Sequence, residues 1–79
     1  MSPTVLRVKQ YRFFFFSREE ERVHIHVTSP DGEAKFWLEP IVALEQSFGL
    51  STKQLRELQR VVEKRRDEII RTWHAHFRR

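Results

Sequence analysis

Two imidazoles stand one residue apart in the segment Val23-His24-Ile25-His26-Val27. In an extended chain, side chains at i and i+2 project to the same side, roughly 6.5–7 Å apart. His24 and His26 therefore share a face if this segment is a strand. Imidazole exchanges protons near neutral pH. A pair so placed suits acid and base work on one substrate, contact with RNA, or two of the ligands of a metal. A zinc site needs a third ligand, which Glu33 or a residue of the C-terminal segment would have to supply. A structural role, with a histidine ring packed against Trp37 on a half-exposed sheet face, accounts for the same residues. We take His24 and His26 as candidate catalytic residues and assign no metal and no cofactor.

Lys35 and Trp37 lie beside the histidines if the following segment returns as the second arm of a hairpin. With Arg12 they make a basic, aromatic patch. Cations hold phosphates and ring faces stack unpaired bases, so Arg12, Lys35 and Trp37 are candidate substrate-binding residues. Phe14 and Phe16 share a strand face with Arg12. That leaves two rings as candidate partner-binding residues.

These positions need strands to hold them. Thr4 to Val8 is a short β-branched run, Lys9-Gln10 a tight link, and Tyr11 to Ser17 (YRFFFFS) an aromatic run suited to a pleated surface. Residues 18–22, all charged, read as a solvent-facing loop. Ser29-Pro30-Asp31-Gly32 is a strong turn signal between VHIHVTS and EAKFWL. The wholly apolar face, with Val23, Ile25, Val27, Ala34, Phe36 and Leu38, is expected under helices.

Helices are expected over about 40–48 and 52–77. Pro40 suits a first helical turn, Ile41, Leu44 and Phe48 fall on one stripe, and Gly49 is a good stop. Ser51 and Gln54 form a capping box, with Leu50 and Leu55 at the staple positions. Leu55, Leu58, Val62, Ile69, Trp73 and Phe77 then mark one face. Lys53, Arg56, Arg60 and Lys64 form a basic stripe, for which a solvated face is the favoured account. The expected fold is α+β: a three- to four-stranded antiparallel sheet over about residues 4–38, then a short helix and a long C-terminal helix packed on one face.

The chain has 79 residues, one small domain spanning 1–79, with a net charge of +4. A domain near this size buries only roughly 60–65% of its unfolded surface. There is no cysteine to staple it, so a homo-oligomer is one way to complete its thin core. The positive balance makes anionic partners plausible, RNA above all. The aromatic run is too short to cross a membrane, which takes about 20 residues, and the expected setting is cytoplasmic. Two glycines leave no Gly-rich phosphate loop. Nothing resembles a helix-turn-helix with a basic second helix, which weighs against a DNA-binding regulator.

Taken in order, PTVLRV, YRFFFFS, HIHV, GEAKFWLEP and LSTKQLRELQRVVEKRRDEIIRTWHAHF resemble the small prokaryotic family catalogued as domain of unknown function 4160. The resemblance covers nearly the whole chain. Members carry a Pro-Pro pair just before the His-x-His segment, where this chain has Glu21-Arg22-Val23. The resemblance implies a gene arrangement similar to toxin–antitoxin pairs, with this chain as the toxin partner held by a cognate antitoxin. It also carries over His24, His26, Lys35 and Trp37 as candidate functional positions.

The functional expectation is thus a toxin-like component of a type II toxin–antitoxin module, acting on RNA or the translation machinery. One form of it is a metal-independent ribonuclease. The alternative is a non-enzymatic module that binds a protein or nucleic acid through its aromatic face or strand edge, with incidental histidines.

Overall fold

The computed structural model describes residues 4–16 and 22–77. Its fold is α+β. Strands β1 (Thr4–Val8), β2 (Tyr11–Phe14), β3 (His24–Ser29), β4 (Gly32–Trp37) and β5 (Ala43–Phe48) precede helices α1 (Thr52–Lys64) and α2 (Arg66–Phe77). The five strands lie side by side in chain order, each antiparallel to the next. The charged loop expected at 18–22 falls outside the described residues except for Arg22, which is exposed.

Two hairpins follow from local chemistry. Lys9 and Gln10 join β1 to β2, and Lys9 takes a positive φ of 54°. Its ammonium pairs with Glu57 of α1. That hydrogen bond holds the Glu57 carboxyl below its ordinary range and raises the Lys9 ammonium. Pro30 and Asp31 join β3 to β4, as the turn signal predicts, and the Ser29 hydroxyl accepts from the Asp31 amide at 3.2 Å.

The apolar strand face is the core. Val23, Ile25, Val27, Ala34, Phe36 and Leu38 are all buried in one cluster with Phe13 and Phe15 and with Leu58, Val62, Ile69 and Trp73 of the helices. Full burial of a Leu-, Ile- or Phe-sized side chain stabilises by about 1.5–3 kcal/mol. The capping box at Ser51 and Gln54 is formed in both directions.

Two expectations are corrected. The sheet has five strands, and within the segment expected as a short helix over 40–48, residues 43–48 form β5 while 40–42 belong to the connection before it. Ile41, Leu44 and Phe48 have helical spacing, but a helical stripe is stabilised by burial, and Ile41 and Phe48 are 70% and 77% exposed. Pairing decides the outcome instead: residues 43–48 satisfy the backbone groups along the free edge of β4. Pro40 follows a cis peptide bond in the connection rather than opening a helix. Gly49 ends the strand with φ 81°. Gly32 packs so closely beneath it that an added Cβ would lie 2.1 Å from the Phe48 carbonyl oxygen.

The second correction is that the long helix is two. Arg65 leaves helical dihedrals at φ −106° and ψ 18°, with neither Gly nor Pro to cause it. Side chains hold the joint: Arg66 Nε donates to the Leu38 carbonyl at 2.8 Å, and Arg65 pairs with Glu68 through two bonds. No described helix is long and apolar enough to cross a membrane.

Candidate functional site

The sheet face opposite the core carries the site. Residues opposite each other in a ladder point to the same side. His26 sits between Phe14 of β2 and Lys35 of β4, and His24 opposes Trp37. Arg12 lies one pleat along from Phe14. These six residues singled out in the sequence therefore meet on this one face, and the seventh, Phe16, joins them with its ring 4.1 Å from that of His26 between centroids.

The two histidines are not equivalent. His24 is 1% exposed. Its Nδ1 is 2.7 Å from the Arg22 carbonyl oxygen. A carbonyl only accepts, so Nδ1 carries the proton in that bond. The His24 ring also packs edge-on against His26 at 5.0 Å, and lies 5.1 Å from Trp73 and 5.6 Å from Trp37. His26 is half-buried, stacked on Phe14 at 5.5 Å, with Nε2 shielded from solvent. His26 is thus the outer member of the pair, and His24 lies behind it as its support.

Phe14 is largely covered by its neighbours, whereas Phe16 is 45% exposed. Cations lie over the rings. The Arg12 guanidinium sits 4.7 Å from the Phe14 centroid, and Arg22 and Lys35 sit 4.2 and 4.6 Å from that of Trp37. Such contacts contribute about 0.5–1 kcal/mol at exposed sites and restrict where the charges stand. Arg12 Nε further donates to Thr4 Oγ1 at 2.7 Å, and Arg22 Nε to the Glu39 carbonyl at 3.0 Å.

Arg7 stands directly opposite Arg12 across the β1–β2 ladder. Like charges so placed repel one another, and an anion between them relieves that cost. Against Arg7, Arg12, Arg22 and Lys35, the carboxylate among the described strand residues of this face is Glu33. Among the described residues, no three His, Cys, Asp or Glu side chains gather where a metal ion could be held.

A cleft of about 250 Å³ opens beside His26, where Glu33, Lys35, Gln46 and Phe48 also line it. Sequence reasoning missed Arg7, Arg22, Gln46 and Phe48. Arg7 stands out once the two-residue turn at Lys9-Gln10 is used to count the register back from Arg12. Gln46 and Phe48 were hidden by the helical spacing of Ile41, Leu44 and Phe48. Arg22 carried no periodic signal at all.

A family model described as Domain of unknown function (DUF4160) matches residues 11–74. No curated protein and no solved structure matches the chain at a significant level.

Proposed function

This chain belongs to the DUF4160 family, and on that premise we propose that it is the toxin-like component of a two-gene module that engages single-stranded RNA through its open sheet face. The observation that carries the RNA reading is the set of cations resting on aromatic rings around His26. Electrostatic contacts to phosphate supply most sequence-independent affinity, and exposed rings supply stacking. The toxin role and its antitoxin rest on the family resemblance.

In the cleaving form, His26 takes the proton of a ribose 2′-OH through Nδ1, since Nε2 is shielded. The 2′-oxygen bonds to the adjacent phosphorus, the P–O5′ bond breaks, and the departing oxygen takes a proton from water. The products are a 2′,3′-cyclic phosphate and a free 5′-OH. Arg12 or Lys35 stabilises the negative charge of the phosphorane. His24 holds the imidazole in place.

Fluorescence anisotropy with a labelled single-stranded RNA, followed by gel analysis of the same mixture, tests both forms. Saturable binding that weakens in Lys35→Ala supports the RNA face. RNA that is bound but left intact removes the cleaving form, and RNA that is not bound removes the whole reading. Growth arrest on inducing the parent chain, relieved in Lys35→Ala at equal soluble level, supports the toxin role.

A second reading is favoured by one observation. Ile41, just before the edge strand β5, and Leu44, within it, are exposed apolar side chains. A non-enzymatic module would dock a protein strand there.

A further inference from the structure

We propose that the cleft between β3, β4 and β5 is a base-reading subsite for guanine, an inference that rests on the RNA-binding reading and names its specificity.

Three cross-strand pairs build the cleft. Phe48 opposes Glu33, Gln46 opposes Lys35, and Lys35 opposes His26. They place a ring, a carboxylate, an amide, an ammonium and an imidazole around one opening of about 250 Å³. Sites for drug-sized ligands run to roughly 300–1,000 Å³, so this one is on the scale of a single base. Phe48 is 77% exposed. A large ring held that far into water beside polar groups is the stacking platform that unpaired bases use.

The polar groups select among the bases. A carboxylate only accepts hydrogen bonds, and its two oxygens take two neighbouring donors. On the Watson–Crick edge, guanine alone offers such a pair, N1–H and N2–H₂, next to the acceptor O6. Adenine and cytosine each present one donor group beside a ring-nitrogen acceptor, which would face the carboxylate lone pairs. Uracil presents one donor between two acceptors. Glu33 fits the guanine donors, and Lys35 or Gln46 supplies the donor that O6 needs. Lys35 also links this subsite to the phosphate-binding cations of the same face.

The test uses the full chain and fluorescent single-stranded octamers of uridine with one central guanosine, adenosine or inosine. Inosine lacks the N2 amine and so loses one donor without any change to the protein. The guanosine octamer is expected to bind about tenfold tighter than the adenosine one, within the range a bidentate contact supplies, with inosine between them. Glu33→Gln is expected to bring the guanosine-to-adenosine ratio close to one while retaining binding. Equal affinity of the parent for guanosine and adenosine overturns the inference and leaves the RNA face standing. So does a guanosine preference that survives in Glu33→Gln, or one that inosine fully retains. Absence of binding by every octamer overturns the inference and the RNA reading together.

Discussion

The salt dependence of RNA binding gives the sharpest test of the open face. Arg7, Arg12, Arg22 and Lys35 stand on it, three of them held over rings and Arg7 directly across from Arg12. Each phosphate neutralised on a single strand releases condensed counterions, and the logarithm of the binding constant falls with the logarithm of salt at a slope of about −0.7 per contact. Four contacts predict a slope of about −2.8. Between 50 and 200 mM salt the affinity should then fall about fifty-fold. Replacing Lys35 by Gln removes one contact and should flatten the slope to about −2.1. The assay is anisotropy of a labelled octamer titrated at five salt concentrations, with parent and variant side by side. A parent slope shallower than about −1 refutes the four-cation face. Identical slopes for parent and variant show that Lys35 touches no phosphate.

Three further outcomes concern the fold. Gly32→Ala places a Cβ 2.1 Å from the Phe48 carbonyl oxygen; overpacking of this kind costs about 1–3 kcal/mol, or about 4–8 °C in melting temperature per kcal/mol, and an unchanged melting curve by circular dichroism contradicts the close approach. Leu58→Ala empties a fully buried position and should destabilise by about 2–5 kcal/mol in urea unfolding; a loss under about 1 kcal/mol means that the helix does not seat on the sheet as described. The Lys9–Glu57 pair lowers the Glu57 pKa on folding. Its stabilisation is whole above the unfolded carboxylate pKa of ~4.3 and is lost as pH falls through the lower folded value. Parent and Lys9→Met should therefore differ in melting temperature at pH 7 and converge in acid; a difference that persists below pH ~2 argues for packing rather than charge.

The parts of the fold legible in the sequence were those written in local chemistry. The Pro30-Asp31 turn sets the β3–β4 register by itself, and that register brings His24, His26, Lys35 and Trp37 onto one face. Ser51 and Gln54 announce α1 through reciprocal bonds that need no tertiary context. β5 was hidden because its bulge defeats alternation. Glu45 is the extra residue between the Lys35–Gln46 and Phe36–Leu44 pairs. The bulge carries Leu44 to the core side and leaves Gln46 and Phe48 on the open one, so Ile41, Leu44 and Phe48 mimic a helical stripe. The break at Arg65 was hidden for the opposite reason. Its causes, the Leu38 carbonyl and the Glu68 carboxylate, are a partner distant in sequence and a side-chain fork that no periodicity reports. The site was legible in residue type but not in depth: nothing in a His-x-His segment says which imidazole lies beneath the other.

The strictly sequential order of the five strands has a consequence at the ribosome. Every strand pairs with the one synthesised just before it, so the sheet can assemble as the chain emerges, from the amino end onward. The helices come last, and residues 51–77 supply Leu58, Val62, Ile69 and Trp73 to the cluster that buries the apolar strand side chains. At elongation rates of about 5–20 residues per second, those strand side chains wait roughly one to five seconds for the helix residues that bury them. A nascent chain of this design passes through a stage in which the five strands are paired while their apolar side chains, and the His24 ring that packs on Trp73, still lack the helices. During that interval it is a client for any chaperone that binds exposed apolar sheet.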